Sequence, residues 1–437
     1  MNLAAILPPL VTIVGTTAFM ARMMIGSRGE QVETVTDWVA EAPMELKTSI
    51  LVFCDPEQER MMWRELGFGS VEAGFPTVLD VQYTSYGVDV EVQMRGGHRV
   101  ADWTDQGALD ALAQYVGAPE VTALSVYPGF IRLQVRVVDT LATPSLLPVV
   151  VSDDVDLEAV PAGVFEDGRT WTVPVQGRHI LAGGRMGSGK SSLLWSLVNG
   201  MGPAIRSGRV ELRVIDPKGG MELGFLEPLC TRFACTTAEE MVELLEETVT
   251  DLQEATQRYR GKVRKPVPTP ENPLVVTIID EAATLSAFSD PKVQARFERA
   301  HGLLLSQGRA PLYSVIETVI DPSKENVPQR QLLPYRIGMG LDEASQVAMI
   351  HGQGARNRGS YCDRIPYTTP GVCYVQEDGT AGFQRARAFM VSNEDIDRIV
   401  AEYAPPQPDF APQGDYSDFD PDDLGEGISG DDQERAA

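Results

Sequence analysis

One run constrains this chain more than any other feature: LAGGRMGSGKSSLL, residues 181–194. It fits G-x-x-x-x-G-K-[ST] at Gly184, Gly189, Lys190 and Ser191. A short apolar stretch, RHILA, precedes it as an expected strand, and SSLLWSLVNG follows with a helical pattern. In that context the glycines let successive backbone N–H groups turn inward around phosphates, and the helix N-terminus favours their negative charge. The segment Gly184, Arg185, Met186, Gly187, Ser188, Gly189, Lys190, Ser191 and Ser192 is therefore expected to contact a nucleoside triphosphate. Lys190 is expected to reach the β- and γ-phosphates, and Ser191 to help hold Mg2+.

A second run, LVVTIIDEAATL (274–285), supplies what a phosphate cradle lacks. Its apolar residues predict a buried strand ending at Asp280, which puts a carboxylate where magnesium would sit. Glu281 follows directly and is the expected base that polarises the attacking water. Between the two runs lies VELRVIDPKGGMELG (210–224), read as an extra strand between the nucleotide motifs. That strand and the Asp-Glu pair point to the RecA-like, additional-strand class of P-loop ATPases rather than to kinases or GTPases. No guanine-reading signal is present, so ATP is the expected nucleotide.

From about 165 to 403, short apolar runs of the buried parallel type alternate with helical segments: HILAG, VELRVID, LVVTIID, LYSVIETVI and YRIGMGL. This alternation predicts an α/β fold, a parallel sheet with helices on both faces. The helix beginning TTAEEMVELLEE has two overlapping candidate capping boxes, Thr236–Glu239 and Thr237–Glu240. Before it, residues 27–150 read as a polar link and a smaller α+β unit with strand candidates SILVFC, TVLDVQYT, VDVEVQMR, VTALSVYP and IRLQVRVVD. DQGALDALAQYVG is its helical candidate, and nothing in the unit reads as catalytic; His98 is a lone histidine in a turn, expected to be solvated. A Pro- and Asp-marked connector is expected at 151–164, with the motor domain at 165–403.

The chain ends differ from this body. LAAILPPLVTIVGTTAFMA (3–21, within a leader 1–26) carries no charge and is followed by Arg22 and Arg28. It is barely long enough to span a bilayer. The expected reading is a single N-terminal anchor, which places the motor at the cytoplasmic face of the cell membrane; a buried or interfacial segment is the alternative. The net charge is −25, and residues 405–437 hold ten carboxylates against one arginine. Segment 404–437 is expected to be disordered. Because the remaining body is acidic too, nucleic-acid contact would have to use a local groove rather than a broad basic face. Five scattered cysteines without metal spacing fit a reduced compartment.

Taken together, GGRMGSGKSS, VIDPKGGMELG, IIDEAATL and the late segment DPSKENVPQRQLLPYRIGMGLDEASQVAMIHGQGARNRGSYCDRIPYTTPGVCYV resemble the FtsK/SpoIIIE family of DNA translocases. They are most similar to its branch in conjugative-transfer and phage proteins of actinobacterial mobile elements. The resemblance covers about 165–403. It implies a homohexameric ring around double-stranded DNA, with transfer-apparatus proteins as further partners. An arginine from the neighbouring subunit would complete each ATP site. Arg309 is the first choice for that arginine and Arg299 the second, while Lys218 is expected to organise the nucleotide interface. Lys324, Arg330, Arg356 and Arg358 are the expected DNA contacts, reaching phosphates without reading sequence.

One departure from the family stands out. ETVIDP (317–322) puts Ile320 where a γ-phosphate-sensing glutamine belongs, so either Thr318 or Glu317 takes over that part or coupling is altered. No winged-helix pattern follows residue 403, so sequence choice is expected from a partner or from the α+β unit. The competing reading is an ATP-binding coupling or scaffold protein that does not itself pump DNA.

Overall fold

The computed structural model describes residues 34–377, 380 and 382–405. The apolar run at 3–21 and the acidic stretch from 406 onward lie outside the described residues. Among the described residues no helix is long and apolar enough to cross a membrane.

The first unit begins with α1 (Val35–Glu41), α2 (Lys47–Cys54) and α3 (Pro56–Glu65). Then come β1 (Thr77–Tyr83), β2 (Gly87–Gln93), α4 (Val100–Trp103), α5 (Gln106–Val116), β3 (Glu120–Tyr127) and β4 (Phe130–Arg136). The strands pair antiparallel in the order β1-β2-β4-β3. In β2, Val88, Val90 and Val92 are buried while Asp89 and Glu91 are not, the alternation of a sheet covered on one face. SILVFC, expected as a strand, is instead part of helix α2. Ser49, Ile50, Val52 and Phe53 are its buried positions, and Phe53 follows Ser49 and Ile50 at the four- and three-residue spacing of one helix face. The β-branched run misled because this packing overrides local propensity. His98 is not simply solvated: it is half-buried, with ring centroids 5.9 Å from Phe68 and 5.8 Å from Trp103.

The second unit holds β5 (Val160–Phe165), β6 (Thr170–Val173), β7 (Ile180–Gly183), α6 (Lys190–Arg206), β8 (Val210–Ile215), β9 (Cys230–Ala234) and α7 (Ala238–Tyr259). It continues with β10 (Leu274–Ile279), α8 (Ala283–Ser286), α9 (Pro291–Gln307), β11 (Tyr313–Val319), β12 (Tyr335–Met339), α10 (Ala344–His351), β13 (Val372–Val375), β14 (Gln384–Ala388) and α11 (Asn393–Tyr403). One mixed sheet runs β6-β5-β14-β13-β12-β7-β11-β10-β8-β9. From β12 to β9 neighbouring strands are parallel, and the strands on the other side of β12 are antiparallel. All five expected strands are present. β5, which begins inside the expected connector, and β6 extend the sheet instead of linking it.

Two layers of helix explain why β7 and β10 read as mostly apolar runs and why every residue of β11 is buried. In β10, Val275 and Ile279 pack with residues of α7 and α9, whereas Leu274, Val276 and Ile278 pack with residues of α6 and α11. Each such aliphatic side chain contributes about 1.5–3 kcal/mol by leaving water. The strand lying between β7 and β10 is β11, not VELRVID. VELRVID forms β8, on the far side of β10. Thr237 rather than Thr236 caps α7: its hydroxyl accepts from the Glu240 amide at 3.2 Å, and Glu240 in turn accepts from the Thr236 amide at 3.1 Å.

The two sheets meet through buried polar contacts. Glu166 accepts from Arg136 of β4 at 2.8 and 3.0 Å and from Arg385 of β14 at 2.7 Å. Tyr361 donates to the Ala123 carbonyl of β3 at 2.7 Å, and the Ala123 amide donates back to its oxygen at 3.2 Å. Paired in this way, the buried charges and hydroxyl are satisfied rather than stranded.

Candidate nucleotide site

β7, β10 and β11 are parallel, so the loops that follow them gather at one edge of the sheet. After β7 the chain turns through Gly184–Gly189 into α6. Gly189 has φ 99°, and a Cβ there would lie 2.4 Å from the Gly371 amide nitrogen, so only glycine fits. Lys190 is buried and donates to the Gly184 carbonyl at 2.6 Å and the Arg185 carbonyl at 3.2 Å. Burial lowers the pKa of its ammonium, with Glu281 and Asp280 opposing that shift. The Arg185 side chain is not free to meet phosphate. It donates to the Leu341 and Ile365 carbonyls, both at 2.8 Å, and its guanidinium lies 3.6 Å from the Tyr367 ring centroid. Arg185 thereby fastens the loop to the segments after β12 and before β13. Ser188 is also buried, while Met186 is 80% exposed at the loop tip.

The carboxylates expected at residues 280 and 281 arrive at the same edge. Asp280 is buried and accepts from the Thr318 hydroxyl at 2.5 Å. Its other oxygen lies 2.9 Å from the Lys218 ammonium. Lys218 also donates to Glu222 Oε1 at 2.9 Å, and Glu222 Oε2 accepts from the Ser191 hydroxyl at 2.9 Å. Burial opposes the charge on Lys218, yet these two carboxylates outweigh it and hold the ammonium above the usual lysine range. Lys190, Ser191, Lys218, Asp280 and Glu281 are thus brought together as expected. Among the described residues no three carboxylate, imidazole or thiol side chains converge as a complete metal-ligand set. The two carboxylates and one hydroxyl around a positive charge nevertheless suit a hard cation that also draws on nucleotide oxygens.

Glu281 sits at φ 53°, a left-handed conformation that costs a non-glycine residue about 1 kcal/mol. Both its carboxylate oxygens accept from the Ile320 backbone amide, at 3.1 and 3.3 Å. Burial raises the pKa of Glu281, against the opposing pull of the Ile320 amide and of Lys190 and Lys218. Ile320 therefore engages the site through its backbone, whatever its side chain. Of the two residues weighed as replacements for the missing glutamine, only Thr318 is in place. Glu317 points through the opposite face of β11, where it is buried with one carboxylate oxygen 3.1 Å from His301 Nε2.

Arg309 is not brought to this edge. It is exposed just before β11, about 20 Å of strand away from the phosphate loop. Arg299 is exposed on α9. The four expected DNA contacts lie on two segments, one after β11 and one after α10. Lys324 is exposed and Arg330 half-buried, both following β11; Arg330 donates to the Pro322 carbonyl at 2.9 Å. Arg356 pairs with Asp363, and Arg358 donates to the Gln353 and His351 carbonyls at 3.1 and 3.2 Å. Asn357 between them accepts from Thr104 at 2.9 Å, so this turn docks the two sheets together instead of presenting a free arginine loop.

Sequence reading missed Glu222 and the Arg185 clamp. The signal for Glu222 lay in its spacing, four residues after Lys218 in a loop folded back by Gly219 and Gly220, both with positive φ.

Comparison with known proteins finds similarities over much of this chain. Residues 155–266 match the model of the FtsK/SpoIIIE family. The chain is 25% identical over 401 residues to the DNA translocase FtsK of Streptococcus agalactiae serotype V, covering 81% of this chain and 46% of that protein. It is 25% identical over 405 residues to the DNA translocase FtsK of Streptococcus pyogenes serotype M3, covering 80% and 47%. The chain thus spans about half the length of the curated relatives it matches. Among solved structures it is similar to the pCW3 conjugation coupling protein TcpA with ATPγS (TM-score 0.49, 16% identity, 78% of this chain and 97% of that one). It is also similar to the cytoplasmic domain of the type VII secretion ATPase EccC of Thermomonospora curvata (TM-score 0.46, 19% identity, 61% and 35%). The matched segment, which contains the phosphate loop and the Lys218–Glu222 loop, is thus similar to the FtsK/SpoIIIE family over about a quarter of the chain.

Proposed function

We propose that this chain is an ATP-driven double-stranded DNA translocase of the RecA-like, additional-strand class, working as a homohexameric ring. The observation that carries the reading is the convergence of Lys190, Ser191, Asp280 and Glu281 at one sheet edge, with β11 and its Thr318 inserted between the strands that deliver them. Lys190 would leave the Gly184 and Arg185 carbonyls for the β- and γ-phosphates. Ser191 and Asp280 would hold Mg2+, which neutralises charge developing on the phosphate oxygens. Thr318 fixes the Asp280 carboxylate. Glu281, released from the Ile320 amide, would accept the proton of the attacking water, a role its raised pKa suits.

A ring is supported by the exposed apolar residues on the loops that carry the site. Met186, Met221, Phe225 and Phe288 are 80%, 82%, 61% and 75% exposed. A neighbouring subunit would cover them and bring its Arg309 to the phosphates. The division 27–150, a motor unit that begins with β5 at Val160 rather than at 165, the anchor at 3–21 and a place at the cytoplasmic face of the membrane in conjugative or phage transfer complete the reading.

The internal commitment of Arg356 and Arg358 favours a second reading, a coupling ATPase whose cycle recruits partners without pumping DNA. Under the first reading Lys324, Arg330, Arg356 and Arg358 are the proposed DNA contacts, the three arginines exchanging their internal partners for phosphates. ATP turnover by the full chain with and without linear duplex separates the two. Strong stimulation supports the pump, and indifference to duplex supports the coupling protein.

A further inference from the structure

The Asp280 carboxylate, where a divalent ion is expected, is already paired with a cation of the chain's own. Lys218 Nζ lies 2.9 Å from Asp280 Oδ2 and 2.9 Å from Glu222 Oε1, and Glu222 Oε2 accepts from Ser191 at 2.9 Å. One ammonium and one carboxylate therefore link the phosphate loop to the strand end that carries Asp280.

The loop that supplies both residues is built to present them. Asp216 at the end of β8 is fully buried and accepts from the amides of Lys218 at 2.9 Å and Leu223 at 3.0 Å. Those two bonds close the turn, and positive φ at Gly219 and Gly220 reverses it, so Lys218 and Glu222 face the site together. Glu222 is largely exposed and Lys218 partly so. Neither is needed to fill the core, which leaves the contact itself to account for their placement.

We propose that Lys218 and Glu222 form a displaceable lock on the cation site: in the nucleotide-free chain the ammonium stands in for the divalent ion while Glu222 tethers Ser191, and the ion-nucleotide complex must expel it. Expelled, Lys218 turns outward as a positive charge beside the phosphates, and Glu222 releases the Ser191 hydroxyl. The lock keeps Asp280 and Glu222 neutralised, and so keeps a bare divalent ion out until a nucleotide arrives with it. It rests on the reading of this edge as a site for ATP and a divalent ion.

The test is Mn2+ binding to the full chain without nucleotide, followed by the paramagnetic resonance signal of free Mn2+. Wild type should bind weakly. Lys218→Met should bind roughly tenfold tighter or more, since an opposing charge a few ångströms from the ion is removed. Lys218→Arg, which retains the charge, should stay within about twofold of wild type. Lys262→Met, which removes an equal charge from an exposed position just after α7, should stay within about twofold of wild type, which separates the lock from a general change in surface charge. Equal Mn2+ affinity in wild type and Lys218→Met overturns the lock. A parallel titration with Mn2+ and a non-hydrolysable ATP analogue distinguishes the two failures. If wild type takes up the complex but Lys218→Met shows no gain in its absence, the lock alone fails. If wild type does not take up the complex, the nucleotide site itself fails, and the lock with it.

Discussion

Thr318 is the residue on which this site makes its sharpest quantitative claim. Its hydroxyl donates to Asp280 Oδ1 at 2.5 Å, and its oxygen lies 3.4 Å from the Glu281 amide nitrogen. Thr318 and Asp280 are both buried, so water cannot take over the lost bond. Thr318→Val keeps the shape of the side chain and deletes only the hydroxyl. A hydrogen bond to a charged acceptor is worth about 1.5–3 kcal/mol, which corresponds to a loss of roughly 10- to 150-fold in ATP turnover per active site. Thr318→Ser retains the hydroxyl and should recover most of the activity. The assay is steady-state ATP hydrolysis, with circular dichroism to establish that both variants fold. Turnover by Thr318→Val within twofold of wild type would refute the assignment of Thr318 as the group that positions Asp280.

Three further outcomes follow from the geometry. Glu166→Gln would leave two buried guanidinium groups without their shared carboxylate, destabilising the chain by about 3–5 kcal/mol at neutral pH, measured by urea unfolding. Burial works against the Glu166 carboxylate, but Arg136 and Arg385 outweigh it and depress its pKa below the ordinary value of 4.5. Its stabilisation is therefore present above about pH 4.5 and lost as the pH falls through the depressed value, so wild type and variant should converge in acid. Burial likewise lowers the pKa of His179 to about 4, so protonation of the unfolded chain should erode stability as the pH drops below about 6.5. Arg309→Ala should leave nucleotide binding intact while cutting turnover, and mixing it with the inactive Glu281→Gln protein should restore part of the activity through mixed interfaces. Restoration absent at every mixing ratio would count against action across subunits.

The phosphate loop and the Asp-Glu pair were legible because their chemistry is local. Glycines must stand where the backbone turns back on itself, and a carboxylate must stand at the end of an apolar strand. The parallel strands were legible because burial on both faces leaves Thr277 as the one polar side chain in ILAG and LVVTII. What failed to show was non-local. Thr318 and Glu317 are neighbours in the chain, yet strand alternation sends one to Asp280 and the other to His301, and only the placement of β11 decides which. β8 was taken as the inserted strand because order along the chain does not give order across a sheet. Arg356 and Arg358 read as a free basic loop, since nothing in the run announces Asp363 or the carbonyls that absorb them. The helix at Lys47–Cys54 read as a strand for a similar reason: its periodicity becomes visible only once Ser49 is known to be buried.

The central claim is that Lys190, Ser191, Asp280 and Glu281 bind ATP and split it, with Glu281 as the base. Glu281→Gln tests it most directly, with nucleotide affinity and turnover measured on the same preparation. The account predicts ATP affinity within a few-fold of wild type and turnover reduced by roughly 100-fold or more. Turnover close to wild type in Glu281→Gln, or an equal loss of binding and hydrolysis, would contradict it.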